Sequence, residues 1–180
     1  GLGDVYKRQI RKQLYPDAAV VGLNELLDVH CLSNQVLVKR SRMLAQGGFD
    51  VALAAFQDYD MWIRLVAAYG KALRLAEATY VVHVGHELGR ITTSPKRLAA
   101  QSYFVEKHLP LMNERNKQNQ QFYRLVMEQQ QLSLPRLLFF CRYGLWSTKI
   151  RYYLKQKLQW AIKFRQQLLS KGVKGLFSKK

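Results

Sequence analysis

A chain of 180 residues and 21.0 kDa, 48% hydrophobic and 23% charged, has the size of one folded domain and not the composition of a disordered one. Its 29 Lys and Arg against 12 Asp and Glu leave a net charge of +17, a positive field that attracts phosphates, anionic lipid or acidic partners. Cys31 and Cys141, with no CxxC spacing, exclude a disulfide-dense scaffold and a cysteine zinc site, and this cysteine usage is that of a reduced, cytosolic chain.

In chain order, Gly1–Gln9 resembles translated adaptor sequence and is read as a sequencing or processing scar, so the natural chain is expected to begin earlier. Gln35–Lys39 (QVLVK) alternates and is rich in Val, which predicts a short strand. Ser41 is placed to cap a brief helix through Gln46, which Gly47 and Gly48 stop. Asp58–Tyr69 carries Met61, Trp62, Leu65, Val66 and Tyr69 at amphipathic helical spacing and closes at Gly70. A strand is expected over Ala72–His83, then a Gly-containing loop, Val84–Ser94, and a helix from Pro95 through Lys107. From Pro110 onward the pattern is helical. The glutamine-rich stretch Gln118–Gln131 reads as helix surface, because Phe122, Tyr123, Leu125 and Val126 interrupt it at helical spacing.

Charge is divided unevenly. Residues 1–102 hold 13 basic and 9 acidic side chains, residues 103–180 hold 16 and 3, and no acidic side chain follows Glu128. Within Lys149–Leu169, Ile150, Tyr153, Leu154, Leu158, Ala161 and Ile162 form one stripe, while Lys149, Tyr152, Gln156, Gln159, Lys163 and Gln166 line the other. That pattern predicts a basic amphipathic helix, packed on its own domain or laid on a lipid surface. The longest apolar run, Leu137–Trp146, is interrupted by Arg142 and is too short to span a bilayer.

The densest set of chemistry-bearing residues is Gly47–Gly70, GGFDVALAAFQDYDMWIRLVAAYG. Asp58 and Asp60, two positions apart on a helix, do not face each other and cannot share a proton as a dyad. Asp58 is suited to an N-cap, or to a carboxylate kept ionised by the helix N-terminus and able to take a proton from a bound hydroxyl. Asp60 is a first-turn acid favoured by the same dipole. Local chemistry leaves these readings open.

Three blocks, QVLVKRSRMLAQGGFD, QDYDMWIRLVAAYG and VVHVGHELGRITTSPKR, occur in an order that resembles the C-terminal half of family 2 glycosyltransferases, the inverting enzymes of the GT-A fold. The likeness covers about residues 14–100. It implies an α/β fold class: a partial GT-A (nucleotide-diphospho-sugar transferase) fold over residues 10–108, lacking its N-terminal half, followed by an α-helical basic extension over 109–180. It implies Asp58 as catalytic base, with Gln57 standing where many relatives carry Glu. Gly47 and Gly48 would turn the backbone beneath the acceptor, and Trp62 would either stack on an acceptor sugar or sit in the core. Arg64 would meet substrate or a scaffold carboxylate, and Arg90 would contact the donor diphosphate. His83, in preference to His86, would help hold a divalent cation, Mg or Mn, bound mainly by the absent half. The only DxD spacing, Asp58-Tyr59-Asp60, belongs to the base block, so the isolated chain is expected to be incomplete and inactive.

The implied partners are a nucleotide-sugar donor, a saccharide or lipid-linked acceptor and, through residues 129–180, an anionic membrane surface. The implied setting is bacterial surface polysaccharide synthesis, cytoplasmic and peripheral on the inner face of the cytoplasmic membrane. The competing reading is a basic helical module that binds nucleic acid, motivated by the net charge and by the tyrosines interleaved with Arg and Lys between Arg142 and Lys157. It lacks any helix-turn-helix, RNP-like, KH or zinc motif, and the wide apolar content of the basic helix suits lipid better.

Overall fold

The computed structural model describes residues 17–32, 36–77 and 96–159. The chain divides into two compact units, Gly1–His108 and Leu109–Lys180. The described residues are mostly helical with one small antiparallel sheet, a mixed α/β composition.

In the first unit, β1 (Ala19–Val21) pairs with β2 (Ala72–Arg74), Val20 standing opposite Leu73. Between them lie α1 (Leu23–Asp28), α2 (Arg40–Ala45) and α3 (Gln57–Tyr69), and α4 (Lys96–His108) closes the unit. Both α1 and α2 pack on α3. The inward stripe of α3 explains this: Tyr59, Met61, Trp62, Ile63, Leu65 and Val66 are all buried, beside Leu26 and Leu27 of α1 and Phe104 of α4 in the buried core. Each such side chain contributes about 1.5–3 kcal/mol when fully removed from water, so the inward stripe of α3 is a large contribution to the core among the described residues. Tyr69, expected on the same stripe, is exposed instead, with the Arg42 guanidinium 4.7 Å above its ring.

The turn after α2 is built by its glycines. Gly47 N–H donates to Leu44 O (2.9 Å) and Gly48 N–H to Met43 O (3.0 Å), the double bond pattern of a Schellman motif. Both residues have φ above +70°, which favours glycine. Three local expectations are corrected here. Residues 36–39 of QVLVK form no strand, because alternation makes a strand only where a neighbouring strand accepts it. Ser41 lies inside α2, whose N-cap is Lys39. The strand opening at Ala72 ends at Arg74, and residues 78–95 lie outside the described residues.

In the second unit, a 3₁₀ turn (Leu109–Leu111) precedes α5 (Glu114–Met127) and α6 (Leu134–Cys141), and a further helix, α7, is described over 146–159. Asn113 caps α5 reciprocally with Asn116, each side-chain oxygen accepting the other's backbone N–H at 3.0–3.1 Å. Phe122, Leu125, Leu132, Leu137 and Phe140 form the core, with Ile150, Tyr152 and Tyr153 of α7 packed against it.

The polar stretch of α5 is not only surface: Asn116, Asn119 and Gln120 are buried. The reason lies across the unit. Lys149 is fully buried, and its ammonium donates to Asn119 Oδ1 (2.7 Å), Phe140 O (2.6 Å) and Gly144 O (2.7 Å). Nearby, Gln156 accepts from Leu132 N–H (3.0 Å) and donates to Gln130 O (2.8 Å), which also accepts from Tyr152 O–H (3.0 Å). The face of α7 carrying Lys149, Tyr152 and Gln156 is therefore turned inward together with Ile150 and Tyr153 of the apolar stripe, so hydropathy alone does not separate the inner side of this helix from the outer. Trp146, Leu154 and Leu158 are exposed on the other side.

Candidate functional site

Phe56, in the left-handed region at φ 69°, turns the chain so that α3 begins at Gln57. Asp58 is thus the second helical residue, not the N-cap, and no side chain caps this terminus. Its Oδ1 accepts from Tyr59 N–H (2.8 Å), and its Oδ2 lies 3.2 Å from His30 Nε2. The Asp58 side chain is 36% exposed, the His30 side chain 26%. Burial raises the Asp58 carboxyl's pKa, but the hydrogen bond and charge of His30 and the backbone N–H groups outweigh it and hold the group below the usual carboxylate range. Asp58 is an ionised, reachable acceptor at the positive end of a helix.

Asp60 has the opposite surroundings. Fully buried, it receives His108 Nε2 and Lys107 Nζ at Oδ1, each at 2.9 Å, and Arg64 Nε and Nη2 at Oδ2, at 3.0 and 2.7 Å. Burial alone would raise its pKa; the bonds from His108, Lys107 and Arg64 reverse that and hold it far below the usual range. Lys107 also bonds Asp50 Oδ2 at 2.6 Å. That bond lowers the Asp50 carboxyl, while on Lys107 the two carboxylates overcome desolvation and raise the ammonium.

A column of rings connects the two acids' partners. His30 stacks on Tyr59 at 4.6 Å between centroids, Tyr59 stacks on Phe104 at 4.5 Å, and Phe104 meets His108 edge-on at 4.9 Å. Tyr59 is pinned from its far end by its O–H, which donates to Leu26 O in α1.

Gly47 and Gly48 form the turn described above, and a Cβ at either would meet nothing within 4 Å. Arg64 joins that turn to α3: besides Asp60, its guanidinium donates to Gln46 O and to Gly48 O (2.8 Å), so of the two roles considered for it the structure displays the scaffold carboxylate. Trp62 is 5% exposed and meets Phe49 edge-on at 6.3 Å, which places it in the core and not on an open acceptor face. Gln57 is the half-buried first residue of α3. His83, His86 and Arg90 lie outside the described residues. Among the described residues no group of three or more His, Cys, Asp or Glu is placed to share a metal ion, and the oxygens of Asp60 are taken up by Arg64, Lys107 and His108.

Sequence reasoning missed His30, Lys107 and His108. None has a local signature, since each meets its carboxylate across 28 to 57 residues of chain. Burial pushes the thiol of Cys31, next to His30, up and away from the reactive thiolate.

The class these features define is a mixed α/β unit with an ionised, histidine-held carboxylate at a helix start, joined in sequence to a basic helical unit. The chain is similar to an Escherichia coli (strain K12) protein named "Putative colanic acid biosynthesis glycosyl transferase WcaA", being 32% identical to it over 120 residues. That stretch is 67% of this chain and 42% of the relative, so the chain spans less than half of the length of the glycosyl transferase it resembles. No family model matches the chain, and no solved structure does.

Proposed function

We propose that residues 10–108 are the acceptor-side portion of an inverting family 2 glycosyltransferase of GT-A fold, with Asp58 as its general base. The observation that carries this reading is the Asp58 carboxylate: half-exposed at the start of α3, fixed by His30 and Tyr59 N–H, and ionised. Similarity to a protein named as a glycosyl transferase supports it. In the reaction, Asp58 takes the proton of an acceptor hydroxyl as that oxygen bonds to the anomeric carbon of a nucleotide-sugar. The bond from that carbon to the diphosphate breaks on the opposite face, its electron pair leaves with the nucleoside diphosphate, and the centre inverts. Acceptors are saccharide or lipid-linked, and the setting is surface polysaccharide synthesis at the inner face of the cytoplasmic membrane.

Arg64 in this reading is a positioning residue, holding the Gly47–Gly48 turn against α3 beneath the acceptor. The divalent cation, and His83 and Arg90 beside it, belong to the donor side, and no step here is routed through them. The test is Asp58→Asn in the enzyme carrying this segment, assayed for sugar transfer from UDP- and GDP-sugars. The amide keeps size and loses basicity, so transfer should fall about 100-fold or more with folding retained. Turnover near that of the unaltered enzyme would remove Asp58 from the role.

A further inference from the structure

The outward face of α7 is a finished surface of a particular kind. Trp146, Leu154 and Leu158, with Ile150 between them half-buried against the core, recur at four-residue spacing and follow one side of the helix for about 18 Å. Trp146, Leu154 and Leu158 are 63%, 57% and 63% exposed, while the opposite side is consumed by the buried Lys149 and by Tyr152 and Gln156. The same shallow apolar face is bordered by Arg151, Lys155 and Lys157. Helical geometry sets Lys157 on one margin, where its ammonium lies 5.4 Å from the Tyr153 ring, and Arg151 and Lys155 on the other.

We infer that this face of α7 docks on an anionic lipid surface, with the leucines and Trp146 at the headgroup boundary and the flanking cations on lipid phosphates. Charge complementarity selects the occupant: the sequence of residues 129–180 has 12 basic and no acidic side chains, and the described charges beside the apolar stripe, Arg151, Lys155 and Lys157, are all positive. Nucleic acid would satisfy the cations and leave the leucines without a partner. No helix among the described residues is long and apolar enough to cross a membrane. The inference does not depend on the transferase reading, and its test involves no catalysis.

The test is co-sedimentation of the whole chain with phosphatidylcholine vesicles containing rising fractions of phosphatidylglycerol, at low and high salt. Two paired variants accompany it, Leu154→Ser with Leu158→Ser, and Arg151→Gln with Lys155→Gln. All four side chains project outward, and circular dichroism verifies that helicity is retained. Binding should rise with phosphatidylglycerol and fall with salt. Loss of two cations should weaken it about 30-fold, roughly fivefold for each charge near the surface. Loss of two leucines should weaken it about tenfold or more on the same vesicles. Indifference of the unaltered chain to phosphatidylglycerol would overturn the inference. So would vesicle binding unaffected by the leucine pair, tighter binding to random DNA or RNA than to vesicles, or a leucine-pair variant that only converts a dimer to a monomer in ultracentrifugation.

Discussion

His30 governs Asp58 in two ways, by orienting one carboxylate oxygen and by favouring its ionised form. In His30→Ala both effects vanish. The Asp58 carboxyl then rises toward the ordinary carboxylate range, so the acidic limb of the rate–pH profile should move to higher pH and transfer at neutral pH should fall about tenfold. His30→Gln, which keeps a donor, should recover part of the rate. A merely structural histidine would change stability and leave that limb in place. The contrast with Asp58 is instructive about sequence. Asp58 stands in a block, QDYD before an amphipathic run, that can be read locally. His30 meets it only because α1 packs on α3, and nothing in DVHCLSN announces that contact.

At the scale of the element, α3 carries two acids whose environments differ because residues i and i+2 point to different sides. Asp60 faces inward and binds together α3, α4 and, through Arg64, the turn after α2. Asp60→Asn would remove the buried counter-charge of Arg64 and Lys107 and disturb the acceptor facing His108, and should cost about 3–5 kcal/mol of stability, read from denaturant melts. The pH dependence has the same origin. Asp50, Asp58 and Asp60 all have depressed values in the folded state, so the unfolded chain takes up protons first and stability falls with pH below about 4 to 5. Lys107 is raised, so its contribution is complete below the ordinary lysine range and disappears only above its folded value. In Asp60→Asn the acid-side loss should be shallower, because its largest source is gone.

At the scale of the whole molecule, the partition of charge was legible from composition, while the use of individual charges was not. The apolar spacing of α3 and its stop at Gly70 follow from the sequence, as do the glycines after α2. Lys149 could not be read this way: a lysine on the polar face of a helix is ordinarily solvated. Here three oxygens from α5, α6 and the following turn replace water, a set that exists only once those elements have packed. Trp62 presents the same difficulty in reverse, since an apolar period marks a buried ring and a sugar-stacking ring alike. QVLVK had the strand pattern at residues 36–39 without strand pairing in the fold.

The ring column has a consequence for how this unit varies among relatives. Four aromatic rings, at positions 30, 59, 104 and 108, run from the partner of the exposed acid to the partner of the buried one. A smaller residue at any of them opens a gap against the adjacent ring, so drift at one position has to be answered at its neighbour in the column. In an alignment of relatives, positions 30, 59, 104 and 108 should therefore covary as a set. Independent substitution at position 104 while His30 and His108 stay fixed would show that the column does not act as one unit.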